Sequence, residues 1–402
     1  LKSWKHAALL VGGLGFSHLG NWIYFVAINI ALLELTDGSA AAMAGLFVIR
    51  PIALLLTNFW SGSIVDRTDV RKLMVLTDVV RGTLMLFIPF ASSVWVIFGL
   101  IFLISLAGSF FGPSQSVYIT KLIPAEDRQR FNSILGMSSS GAFLLGPAIS
   151  GLLIYRFGTD FSIYFNAVTF FVCALMISLL PAVPRLEGPA REPVTLRMLR
   201  ADWGVVRSFV LTAPSFLAIY LLFQSSVIIG YSIDSQELTY IKQHLKLSTE
   251  QYGFIVSVTG IGALAGSFTA ALLAKRVSWR WYLGPATLLT SVFYFLFYLS
   301  HTFFLAAAAF VLLGFFMSYV GAGYATWFQK QVPSDRMGRV ASLADAVQGA
   351  MQIGLTLAVG GLADVLGLQA VCLAFSAAAI ALSLGLSVKV WDRNQSKTNL
   401  EC

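Results

Sequence analysis

Charge is what this sequence has least of. Asp, Glu, Lys and Arg make up 11% of its 402 residues, under half the roughly 25% of an ordinary soluble domain. That deficit excludes a solvated globular surface along most of the chain. Cysteine is nearly absent too: Cys173, Cys372 and Cys402 are the only three. The first two fall in apolar runs and read as small buried side chains, with no paired framework or metal spacing. The four histidines, His6, His18, His244 and His301, are scattered. No His-Glu-x-x-His or paired-His spacing occurs, which argues against a polytopic membrane enzyme. No Gly-x-x-x-x-Gly-Lys-Ser/Thr run occurs either, so ATP drive from this chain alone is not expected. Neither a metal nor a cofactor is expected; a proton gradient is the expected energy source.

Apolar length fills the space that charge leaves. The chain is 57% hydrophobic, with a mean hydropathy of +0.79. Runs near or above the ~20 residues that cross a bilayer recur throughout. Twelve are expected: 7–33, 40–61, 73–90, 95–120, 131–155, 162–181, 213–233, 249–274, 281–299, 303–327, 340–363 and 369–391. The prediction is an all-α membrane protein with twelve transmembrane helices. The opening run is too long for a signal-peptide core and is read as a first membrane helix.

The net charge of +8 is a topology signal. If twelve helices alternate, Arg156, Lys242 and Lys246 fall on one side, Arg50 and Arg81 inside the membrane, and the other basic residues opposite. The positive-inside rule then puts both termini in the cytoplasm. A multi-pass protein of a bacterial cytoplasmic (inner) membrane is expected, acting as a monomer, with the lipid bilayer and a small-molecule substrate as partners and no nucleic acid.

The chain divides in two. Residues 182–212, rich in Pro and Arg, form the longest polar stretch and separate six apolar runs from six. Ile123-Pro124-Ala-Glu126 aligns with Val332-Pro333-Ser-Asp335 at a shift of about 209 residues, and in the same register Gly151 falls on Gly360 and Gly158 on Gly367. The expected organisation is a six-helix bundle over 1–181, a cytoplasmic linker over 182–212, a second bundle over 213–391 and a tail over 392–402. Two such units with a site near the bilayer midplane are the logic of many transporters.

Between runs 2 and 3 lies Gly62-Ser-Ile-Val-Asp66-Arg67-Thr-Asp69-Val-Arg71-Lys72. Gly62 permits close helix approach, Asp66 can accept hydrogen bonds, and Arg67, Arg71 and Lys72 can hold acidic partners or headgroups. This loop follows the signature Gly-x-x-x-Asp-Arg-x-x-x-Arg-Lys and resembles that of the major facilitator superfamily. The resemblance covers essentially the whole chain. It implies two pseudo-symmetric six-helix bundles, a cytoplasmic gate built from this loop, and a central cavity lined by helices 1, 4, 7 and 10 and flanked by 11. Ala142-Phe-Leu-Leu-Gly146-Pro147-Ala-Ile-Ser150-Gly151 resembles the helix-5 element of proton-exchanging exporters. Ala142 and Ser150 replace two of its glycines. Gly146, Pro147 and Gly151 would then serve tight packing and a bend.

Ser17-His-Leu-Gly20-Asn21, Glu34-Leu-Thr36, Arg50, Thr77-Asp78-Val-Val-Arg81-Gly82 and Phe111-Gly-Pro113 resemble the enterobactin-exporter-like, bacilysin-exporter-like and macrolide-efflux branch. Asn21 and Gln115 stand where that branch often carries an acid and an arginine.

Residues three, four and seven apart share a helix face. Run 1 presents His18, Asn21, Trp22, Phe25 and Asn29. Run 7 offers Tyr220, Gln224, Tyr231 and Asp234, run 10 Tyr319, Gly323 and Trp327 with the aromatic Tyr324 beside them, and run 11 Asp345, Gln348 and Gln352. With Arg50 and Gln115, these are the candidates for a substrate cavity; the alternative for each is hydrogen bonding between helices with no ligand. Intramembrane charge needs a partner or a watery cavity. Arg50 serves as a gate, an anion anchor or half of a structural ion pair, whereas Asp78 and Arg81, three apart, are expected to pair with each other or with the Gly62–Lys72 loop. Asp345 is the first candidate to carry a proton, with Asp234, Glu34 and His18 behind it. The expected function is secondary active transport by alternating access. Proton-coupled export of a small amphipathic compound (a drug, siderophore or peptide-like metabolite) is favoured over an uptake permease.

Overall fold

The computed structural model describes residues 2–57, 64–65, 68–124, 127–183, 204, 208, 211–273, 276–332 and 337–392. Among them there is no strand, and twelve helices are long and apolar enough to cross a membrane. They are α1 (Lys2–Leu35), α2 (Ala40–Thr57), α3 (Val70–Leu86), α4 (Val94–Leu122), α5 (Arg128–Phe157), α6 (Thr159–Ser178), α7 (Pro214–Asp234), α8 (Thr249–Leu273), α9 (Trp279–Leu299), α10 (Phe303–Gln331), α11 (Met337–Leu366) and α12 (Leu368–Trp391). Helices dominate because hydrocarbon offers the backbone no partner outside its own ladder. Most of the 182–212 linker, residues 393–402 of the tail, and Gly62, Asp66 and Arg67 of the expected gate lie outside the described residues.

The chain forms two compact units. The first comprises residues 1–194 with 248–257, the second residues 195–247 with 258–402. In the first, α1 packs on α5 and α6, α3 on α4 and α6, and α2 on α4. In the second, α9 packs on α10 and α12, and α7 on α11 and α12. The internal repeat is visible in the backbone. α5 turns into α6 through Gly158 alone at φ +84°, and α11 into α12 through Gly367 alone at φ +93°. A side chain is strained in that left-handed region, so glycine makes the one-residue turn.

Local chemistry sets the helix ends. Asp69 caps α3, its Oδ1 accepting from the Arg71 and Lys72 amides at 3.1 and 3.3 Å. The Arg71 guanidinium donates to the Leu180 carbonyl at 2.7 Å and Ser178 at 3.4 Å, so it caps the orphan carbonyls ending α6. That contact holds Arg71 inside its own unit, whereas the sequence suggested a grip on acidic partners or headgroups. Pro147 lies inside α5, and the Ala148 amide donates to Ser257 Oγ at 2.9 Å within the first unit. Gly253, on α8 in the same unit, has no Cβ; one added there would stand 2.5 Å from the Pro147 carbonyl oxygen.

Candidate functional site

A cavity of about 250 Å³ lies wholly within the second unit, between α7, α9, α10, α11 and α12. On one side Phe223 and Tyr324 stack at 4.6 Å with their planes 8° apart. Gln224 spans to α11, its Nε2 donating to Gln348 Oε1 at 2.7 Å and lying 3.4 Å from the Tyr220 hydroxyl. Tyr220 in turn donates to the Ala344 carbonyl at 3.2 Å. The opposite wall is α9, through Thr287, Thr290, Ser291 and Tyr294. Tyr294 donates to Asp234 Oδ1 at 2.9 Å. The Tyr294 ring lies against α7 at Gly230, where an added Cβ would stand 3.4 Å from it.

Of the run-7 residues, Gln224 and Tyr231 line this cavity, with Tyr220 beside them and Asp234 behind Tyr294. Tyr324 and Gln348 also line the cavity. Asp345 is exposed on α11, within electrostatic reach of Tyr220 and Tyr324. Gln352 is half-buried on the same helix. Two expected cavity residues belong elsewhere. Trp327 is fully buried, its indole stacked on Phe216 at 5.0 Å, because a flat apolar ring fills the core more favourably than it lines a wet space. Tyr319 stacks on Tyr282 at 4.9 Å and donates to Thr269 Oγ1, which turns it toward α8 and α9.

In the first unit the stripe of run 1 splits. Trp22 packs against Gly146 and lies 4.6 Å from the Phe143 ring, with Phe25 5.5 Å away on its other side. Asn21 Oδ1 accepts from Asn166 Nδ2 at 3.5 Å. Asn29 is corrected from a cavity residue to a structural one. It is 1% exposed, and its amide donates to the Phe25 carbonyl at 2.6 Å, which ties it to its own helix. His18 and Gln115 are half-buried. Glu34 is exposed in the last turn of α1, so a carrier role within the hydrocarbon does not fit it. Arg50 is exposed beside Pro51 on α2, within electrostatic reach of Arg81. Arg81 pairs with Asp78 at 3.0 Å, and its guanidinium lies 3.9 Å from the Phe170 ring centre. Gly151 lies where a Cβ would meet the backbone of Thr249 and Glu250 in the same unit.

Two features escaped the sequence. The polar face of α9 was one: Thr287, Ser291, Tyr294 and Tyr298 repeat at helical spacing, and that signal was available. The other joins residues far apart in the chain. His244 ends a short π-helix over Tyr240–His244, and its ring lies 5.9 Å from that of His301. Among the described residues, no three His, Cys, Asp or Glu side chains gather as a metal site requires.

Beyond the end of α7, burial and the neighbouring Asp234 charge push the Glu237 carboxyl well above its ordinary range. Its Oε1 is sealed off and has no hydrogen-bond partner among the described residues. A raised carboxyl stabilises the fold below its unfolded pKa, and that contribution is lost as pH rises through the folded value. Glu237→Gln is therefore expected to match wild-type thermal stability near pH 4.5, the ordinary glutamate value, and to exceed it increasingly toward pH 8. Thermal melts across that range check this; a constant offset at every pH would refute it.

Comparisons with known proteins agree with this architecture. The family model described as Major Facilitator Superfamily matches residues 10–236 and 235–400. A Bacillus subtilis protein named as a bacilysin exporter, BacE, is 25% identical over 399 residues, covering 98% of this chain and 96% of its own. The multidrug resistance protein MdtH of Salmonella typhimurium is 29% identical over 219 residues, 53% of each chain. Among solved structures, the nucleoside transporter NupG superposes with a TM-score of 0.75 at 12% identity, over 96% of this chain and 100% of its own.

Proposed function

The chain belongs to the Major Facilitator Superfamily, and from that premise we propose that it exports a small amphipathic compound across a bacterial cytoplasmic membrane in exchange for protons. It works as a monomer with both termini in the cytoplasm. The observation that carries this reading is the cavity of the second unit, where stacked aromatic rings face hydroxyl and amide groups. Such a wall holds an apolar body and orients a polar head. At about 250 Å³ it is smaller than the ~300–1,000 Å³ of a drug-sized pocket, so it takes one moiety of a larger cargo. Names of relatives support the direction, since BacE and MdtH are named for export and drug resistance.

Proton coupling needs a carboxyl group that can lose and regain its proton. Asp345 stands exposed near Tyr220 and Tyr324, and Asp234 is held by Tyr294. The test is accumulation in inside-out vesicles, over a panel of macrolide, siderophore and dipeptide compounds, with and without an imposed pH gradient. Accumulation is expected to require the gradient and to fall at least tenfold in Asp345→Asn, with Asp234→Asn measured alongside. Uptake that survives both substitutions and the collapse of the gradient would exclude proton exchange. Loading of right-side-out vesicles instead would mark an uptake permease.

A further inference from the structure

We propose that the cavity of the second unit takes a protonated amine, carried on a compact apolar ring, and turns away carboxylates. This rests on the reading that the cavity receives cargo, and it adds the chemical class of the group received.

The inference follows from where the serine and threonine hydroxyls of the wall, and that of Tyr294, spend their one proton. Thr287 Oγ1 donates to the Leu283 carbonyl at 2.5 Å, and Thr290 Oγ1 to Ala286 at 2.9 Å. Ser291 Oγ reaches the Thr287 carbonyl at 3.0 Å and meets Ser383 Oγ at 3.0 Å. Ser226 Oγ donates to Leu222 at 3.1 Å. The Tyr294 proton is committed to Asp234. A hydroxyl has one hydrogen and two lone pairs. With the hydrogens engaged on the backbone and on Asp234, these oxygens offer an occupant lone pairs only. A wall of acceptors is complementary to a donor.

Charge points the same way. No Lys, Arg or His lines the cavity among the described residues. Behind Tyr294 stands the Asp234 carboxyl, 2.9 Å from its hydroxyl. The ring faces of Tyr231, Tyr294 and the Phe223–Tyr324 stack attract cations, the more so when desolvated. The wall's remaining donors are all neutral: the Gln348 amide, whose oxygen is taken by Gln224, and the Tyr231 and Tyr324 hydroxyls. An amide N–H can hold a neutral acceptor; it cannot neutralise a buried carboxylate, whose desolvation goes unrepaid. A carboxylate therefore meets lone pairs and negative ring faces, and an ammonium meets the partners it needs.

The experiment uses three probes sharing one ring: 1-naphthylmethylamine, 1-naphthylmethanol and 1-naphthylacetate. At pH 7 they are cationic, neutral and anionic. Binding to the full chain in lipid nanodiscs is measured by equilibrium dialysis, with empty nanodiscs subtracted. The amine is expected to bind at least tenfold more tightly than the acetate, with the alcohol between them. Site occupancy is checked with Gly321→Leu. Gly321 lies at the cavity wall, and a Cβ there meets no atom within 4 Å, so the new side chain fills open space. Met317→Trp fills the cavity from the same helix and serves if the first variant folds poorly. Amine binding is expected to fall at least tenfold in either. If the acetate binds as tightly as the amine, and filling abolishes both, the cavity receives cargo but the assigned class is wrong. If no probe binds, or filling changes nothing, the cargo reading of the cavity fails, and the class with it.

Discussion

Arg81→Met is expected to destabilise the fold by about 3–5 kcal/mol, the penalty for stranding one member of a buried ion pair. Asp78 is 0% exposed and the Arg81 side chain 12%, so water screens neither. The guanidinium also rests on Phe170 and lies 5.5 Å from the Phe111 ring centre, contacts that methionine only partly replaces. Removing both charges should cost far less, because each charge is costly chiefly when the other is absent. Asp78→Asn with Arg81→Met is therefore expected to regain most of the lost thermal midpoint. An unchanged midpoint in the single variant, or a double variant as damaged as the single, would contradict this account. Asp78 and Arg81 thus serve the architecture, and Arg50, exposed nearby, carries the charge left over.

Gly266→Leu is expected to abolish folded, monodisperse protein. A Cβ at Gly262 would overlap the Val311 carbonyl, one at Gly266 the Phe315 carbonyl, and one at Gly314 the Thr259 carbonyl. α8 and α10 therefore meet backbone to backbone, with Ser318 Oγ donating to the Ala263 carbonyl at 2.8 Å. Without a hydrophobic force between helices in lipid, such contact supplies the association. The obstacle is backbone, which cannot rotate aside as a side chain can. The cost should exceed the ~3 kcal/mol at the top of ordinary overpacking. Gly361→Leu, where a Cβ would meet nothing within 4 Å, is the control and should purify like wild type. Size-exclusion profiles and thermal melts separate the two, and equal behaviour would refute the packing argument.

The twelve-helix fold was legible because hydrocarbon imposes one rule, length of apolar sequence, and the chain obeys it twelve times. Asp78 and Arg81 were legible for a similar reason: three residues apart on one helix, they had each other within reach. The cavity was readable only in part. Gln224, Tyr324 and Gln348 stood out as polar or aromatic breaks in apolar runs. Trp327 and Asn29 gave the same signal and went to the core, because periodicity fixes a face without fixing what covers it. Thr287, Ser291 and Tyr294 of α9 share a face as well, but the family resemblance implies a cavity of helices 1, 4, 7, 10 and 11, which leaves α9 outside it. The meeting of His244 with His301 depends on how the chain returns on itself, and no local spacing encodes it.

The commitment of hydroxyl protons to their own helices has a consequence for biosynthesis. Thr57 donates to Ala53, Thr77 to Met74, Thr287 to Leu283 and Ser376 to Cys372, each within its own helix. These polar groups are satisfied before any neighbouring helix arrives. The Arg81 charge likewise finds Asp78 one turn away on α3. These groups can thus enter lipid already satisfied, and what waits for assembly are the groups that bond between helices, such as Tyr294 with Asp234 and Gln224 with Gln348.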